Sequence, residues 1–169
     1  MFENILSEED KMSAAEFMIE NTGESAGDIA KTIIALSALG YDAERIITDD
    51  YENINLAERL TDLVDDEDDS VLNIYSIPYV IIALSQDEDY CTEEQMEYLI
   101  DTAVESQELW LDTTFGTDGM TPMVLALSPY YGLTEEKTAI DEAVDLSTVK
   151  FMVYDSTQRE GSRLYTAGM

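Results

Sequence analysis

Apolar residues in this chain recur at three- and four-residue intervals, the spacing of a helix face, and no stretch alternates with the period of two that a half-buried strand needs. The first periodic run, "LSEEDKMSAAEFMIEN", sets Met12, Ala15 and Phe17–Met18 on a stripe. Ser7 is its N-cap, and Glu8, Glu9 and Asp10 stand in the first turn, where negative charge is favoured. "SAGDIAKTIIALSALG" places Ile29, Ile33, Ile34 and Leu36 on one wide face and stops at Gly40. "INLAERLTDLV" carries Leu56, Leu60, Leu63 and Val64 at helical intervals. "SIPYVIIALS" opens with Pro78, which a first helical turn tolerates because no N–H bond is needed there. "TEEQMEYLIDTAVESQ" begins with a capping-box pair, Thr92 and Gln95, and continues through Met96, Leu99, Ile100, Ala103 and Val104. In "GTDGMTPMVLALSPYYG", Gly116, Gly119 and Pro122 make the turn into a helix capped at Thr121 and closed by Pro129. The last run, "TEEKTAIDEAVDLS", is capped by Thr134 and turns Ile140, Ala143 and Val144 inward. The pattern predicts an all-α chain.

These helices are of two kinds. The first, third, fifth and seventh have a broad acidic face, whereas the second, fourth and sixth are short and apolar almost all round. A helix without a polar face is expected to be buried on every side. The apolar three echo one another as "TIIALS", "VIIALS" and "MVLALS", and their shared Ala falls at 35, 83 and 126. A repeat of 40–50 residues holding one amphipathic and one apolar helix signals stacked helical hairpins, here about 8–40, 54–85 and 93–131, with an extra outer helix at about 134–153.

Composition narrows the function. With 169 residues, 45% of them hydrophobic, the chain reads as one globular domain over 1–169. Eight basic against 38 acidic side chains give a net charge of −30, which repels phosphate backbones and anionic lipid. Neither nucleic acid nor a membrane is expected as a partner, and a basic protein is. Histidine is absent and Cys91 is the one cysteine, so disulfide scaffolds, Cys/His zinc sites and nucleophile–histidine pairs are excluded. No apolar run approaches a membrane span, and "MFENILSEEDK" lacks the pattern of a signal peptide.

"YLIDTAVESQELW…GTDGMTPMVLALSPYYG" resembles a unit of the squalene-cyclase and prenyltransferase repeat family, in its wording closest to repeat domains of exported bacterial surface proteins. In that family an outer helix ends in Gln, a Gly/Trp loop follows, and an inner helix opens near an Asp; Gln107, Trp110, Gly116, Asp118 and Ala126–Leu127 occupy those places. Gly27, Asp28 and Ala35–Leu36 fit the same frame without its Gln and Trp, and Gln158 and Gly161 start a further loop. The resemblance implies an α/α toroid, two concentric layers of helices. Three hairpins plus one outer helix make a partial ring, to be completed by another domain or a second copy. It also implies an extracellular or cell-surface location.

Chemistry does not follow from fold alone. Class II terpene cyclases of this family protonate substrate with Asp-x-Asp-Asp at an inner-helix mouth. Residues 66–69 match those letters, but Asp69 lies 14 residues before Ala83, too far for the motif; Asp28, 7 before Ala35, has the register without companion acids. A thioester of the kind a related toroid carries needs Cys and Gln three apart, and Cys91 and Gln95 are four apart. The acidic runs at 65–69 and 87–89 lack a calcium-loop pattern. No catalytic residue, metal or cofactor is therefore expected. Candidate ligand-binding residues are Trp110, Phe115, Asp118, Tyr130, Tyr131 and Asp28. The reading is a non-catalytic binding or spacer module of a bacterial surface or secreted protein. The alternative is a terpenoid-cyclase-like or carrier domain holding a hydrophobic, isoprenoid-type small molecule in an apolar cavity.

Overall fold

A computed structural model describes residues 6–68, 71, 73–112, 118–133 and 138–152, and every regular element in them is a helix. Local capping explains most boundaries. Helix α1, Glu8–Glu20, starts at a reciprocal box: the Asp10 amide donates to the Ser7 hydroxyl (3.1 Å) and the Asp10 carboxylate accepts from the Ser7 amide (3.3 Å) and hydroxyl (2.6 Å). Those bonds hold the Asp10 carboxyl below its ordinary range. The buried face of α1 centres on Ala15, and Phe17, turned about 200° from it, points to solvent instead of joining the stripe.

Helix α2, Ala26–Leu39, is the centre of the first of two compact units, residues 1–99. It packs on α1, on α3 (Leu56–Asp65) and most extensively on α4 (Ile77–Leu84). Gly27 permits that last approach: a Cβ there would lie 2.7 Å from the Ser76 hydroxyl oxygen. Lys31 of α2 lies 4.9 Å over the Tyr79 ring of α4. Gly40 ends α2 with φ 90°, while the Gly40 and Tyr41 amides donate to the Ser37 and Leu36 carbonyls (both 3.0 Å). Of the eight α4 residues, Ile77, Pro78, Val80, Ile81, Ala83 and Leu84 are buried, as an all-round apolar helix requires. Between α2 and α3 the chain makes an antiparallel bridge, Ile46 to Ile54, that no periodicity announced.

The division between units falls inside α5, Glu93–Glu105, whose capping box is present: the Gln95 amide donates to the Thr92 hydroxyl (3.2 Å) and Gln95 Oε1 accepts from the Thr92 amide (2.9 Å). In the second unit, residues 100–169, several expectations are corrected. The segment after α5 is not all loop, because Gln107–Trp110 forms a short helix, α6. Helix α7, Met120–Leu127, begins before Thr121: Gly119 precedes it in helical geometry, Met120 is already buried, and Pro122 sits third, still within the turn that needs no N–H partner. Nor does Pro129 stop the chain at once, for Ser128–Tyr130 continues as a 3-10 turn. The final helix, α8, covers 139–152 and is capped by Thr138, whose hydroxyl accepts from the Asp141 amide (3.2 Å). Thr134, Gly116 and Phe115 lie outside the described residues, as do Gln158 and Gly161. The sixth predicted helix also departs from all-round burial, since Leu125 of α7 is 63% exposed.

Candidate functional site

Asp28, the acid in enzyme register, is engaged at a helix start. Asp28 is exposed at the start of α2, where its amide donates to the Ser25 hydroxyl (3.2 Å), which in turn donates to Asp28 Oδ2 (2.7 Å). The acidic run after α3 is a helix stop. The Glu67 and Asp68 amides donate back to the Val64 (3.1 Å) and Leu63 (3.0 Å) carbonyls, with Glu67 in the left-handed position at φ 51°. Glycine is the residue that conformation favours, because a Cβ costs about 1–2 kcal/mol there. Glu67→Gly should therefore stabilise the first unit by about 1 kcal/mol, also removing a like charge beside Asp66 and Asp68. Urea denaturation checks it, and a loss of stability would mean the Glu67 side chain makes a contribution of its own. Asp69 lies outside the described residues. Among those described, no three His, Cys, Asp or Glu side chains gather in metal-holding geometry.

Cys91 and Gln95 do not act on each other. Gln95 Oε1 is held by Thr92, and its Nε2 donates to Asp65 Oδ1 (2.7 Å), tying the start of α5 to the end of α3. Burial pushes the Cys91 thiol up, which disfavours the nucleophilic thiolate. Beside this tie lies a cleft of about 470 Å³ walled by Val64, Asp65, Glu67, Thr92, Gln95 and Tyr98, with Glu94 also at its edge. Its carboxylates suit cationic donors rather than an apolar ligand.

A second cleft of about 390 Å³ opens where α2 and α4 end, between Tyr41, Asp42, Asp87 and Tyr90. Tyr90 is structural: its buried hydroxyl accepts from the Ala43 amide (2.8 Å) and donates to Asp42 Oδ1 (3.3 Å). Burial raises the Tyr90 phenol above its ordinary value, and the Asp42 carboxylate adds to the rise. The folded state thus holds this proton more tightly than the unfolded chain does. The resulting stability is complete below about pH 10 and is lost as pH climbs through the folded value. Tyr90→Phe should cost about 1 kcal/mol at neutral pH and flatten the alkaline decline, measured by urea midpoints on both sides of pH 10.

In the second unit Trp110 is buried, and its indole N–H donates to the Ala103 carbonyl (2.7 Å). Gly119 closes on it, a Cβ there meeting Trp110 at 3.9 Å. Asp118 is exposed and Tyr130 half-buried. Tyr131 is laid on α8, its hydroxyl donating to Asp145 Oδ1 (3.0 Å). Asp141 secures that arrangement. Its buried carboxylate accepts from the Gly132 amide (2.7 Å) and from the Thr138 amide (2.8 Å) and hydroxyl (2.9 Å), binding the turn after α7 to the start of α8. Glu142, Asp145, Leu146 and Val149 then line an open groove of about 300 Å³ along α8. Of the sequence candidates among the described residues, Tyr131 alone meets this groove, through Asp145; Asp28 belongs to the first unit and Trp110 to the core. Leu146 and Val149 were not candidates: Leu146 follows the buried Ala143 by three residues, only about 60° round the helix, so spacing alone does not set it apart from the inward stripe. Comparison with family models, curated proteins and solved structures finds no match for the chain.

Proposed function

We propose that the chain is a non-catalytic binding or spacer module of the α/α toroid type, part of a bacterial surface or secreted protein. Short apolar helices (α2, α4, α7) alternating with amphipathic ones, and the seating of α2 against α1, α3 and α4, support the hairpin architecture. The observation that carries the non-catalytic reading is the engagement of Asp28, the acid in enzyme register, whose carboxylate accepts from the Ser25 hydroxyl (2.7 Å) at the start of α2. The two clefts at Asp65–Gln95 and Asp42–Tyr90 are rimmed by carboxylates, which favours a polar or cationic partner over an isoprenoid. Incubation with squalene or a prenyl diphosphate, followed by gas chromatography and mass spectrometry, should yield no terpene. A terpene product that Asp68→Asn abolishes would overturn the reading.

A further inference from the structure

Helix α8 buries Ala143 and Ser147 on one face, with Asp141 buried separately in its first turn, and turns another face outward. On the outward face Leu146, Val149 and Met152 are 48%, 57% and 70% exposed, three residues apart along one stripe. Glu142 and Asp145 share the groove with Leu146 and Val149, and Tyr131, itself 47% exposed, extends the surface beyond the helix. Lys150, the sole base of α8, follows Leu146 by four residues, about 40° round the helix, and so borders the stripe. Apolar anchors and the exposed Glu142 are thus presented together to solvent, beside the half-buried Asp145 that Tyr131 holds.

Charge selects the occupant. A second copy would bring the same net −30, and α8 offers it Lys150 alone as a counter-charge to Glu142 and Asp145. Anionic lipid meets the same repulsion. A basic amphipathic segment satisfies both halves of the surface at once: its apolar side covers Leu146, Val149 and Met152, while its Lys or Arg residues meet Glu142 and Asp145. We infer that the outward face of α8 docks a basic amphipathic helix of a partner protein, an inference that rests on the binding-module reading and names its partner class. The acidity of the whole chain accelerates the encounter, and the apolar stripe holds the complex.

Three fluorescent peptides of roughly 18 residues test this by anisotropy at moderate salt: an amphipathic Leu/Lys helix, a Lys/Ser peptide of equal charge, and a Leu/Glu helix. The Leu/Lys peptide should bind, and the Leu/Glu peptide should not. Leu146→Ser with Val149→Ser, both on exposed positions and checked by circular dichroism, should weaken the Leu/Lys peptide about tenfold or more while leaving the Lys/Ser peptide unchanged. Glu142→Lys should weaken the Leu/Lys peptide as well. Equal binding of the Leu/Lys and Lys/Ser peptides, or indifference to the double variant, would reduce the effect to bulk charge and overturn the inference. So would a dimer seen by light scattering that the double variant dissolves, since a second copy would then be the occupant. A terpene product would defeat the underlying reading without altering these binding results, so the two failures are distinguishable.

Discussion

Trp110→Ala should cost about 3–5 kcal/mol, the largest effect expected of any single substitution in the second unit. The side chain is 1% exposed, and removing it leaves a large cavity and takes the indole donor from the Ala103 carbonyl, which keeps the Ser106 hydroxyl (3.0 Å). Gly119 cannot fill the space: it has no side chain to move, and its backbone leads directly into α7, which begins at Met120. Trp110→Phe separates the two contributions, keeping most of the packing while losing the 2.7 Å hydrogen bond, and should cost about 1–3 kcal/mol. Trp110 is the chain's one tryptophan, so the variants are followed by far-ultraviolet circular dichroism and the parent by fluorescence as well. A cost below about 1 kcal/mol for Trp110→Ala would mean the indole is not a core anchor, and would return it to the set of ligand-lining residues.

The parts of this structure that could be read from the sequence are those whose physics is local. Ser7 with Asp10, Thr92 with Gln95, and Gly40 each satisfy backbone groups within a few residues, so short motifs announce them. Amphipathic α3 was equally plain, with Leu56, Leu60 and Val64 on one buried face. What escaped depends on partners distant in sequence or on a local rule being broken. The Ile46–Ile54 bridge joins single residues, too few to generate periodicity. Glu67 occupies a position where glycine is the usual signal, so in sequence the α3 stop is indistinguishable from an acidic motif. Thr134 and Thr138 offer the same kind of cap four residues apart, and the distant Gly132 amide on Asp141 is what accompanies the use of Thr138. The candidate site fared likewise. Aromatic residues near an inner-helix start suggested a ligand mouth, yet the fate of Trp110 turns on the Ala103 carbonyl and that of Tyr131 on Asp145, 14 residues away.

The three echoed segments give the second large prediction, because identical letters occupy unequal surroundings. The leucine near the end of each echo, Leu36, Leu84 and Leu127, is buried in every case. Leu36 stands in α2, the helix that α1, α3 and α4 all touch, so a void there has walls on several elements that cannot collapse together. Leu36→Ala should cost about 2–5 kcal/mol, toward the upper end if those walls stay in place. Two places earlier in the third echo, Leu125 of α7 is 63% exposed although the corresponding Ile34 and Ile82 are half-buried. Leu125→Ala removes little apolar area from the folded state and keeps helix propensity, so it should stay within about 0.5 kcal/mol of the parent. Urea denaturation of both variants, with Leu84→Ala as a control expected to follow Leu36→Ala, makes the comparison. Should Leu125→Ala prove as costly as Leu36→Ala, α7 would be a helix covered on all sides in solution, and the pattern of three equivalent inner helices would hold after all.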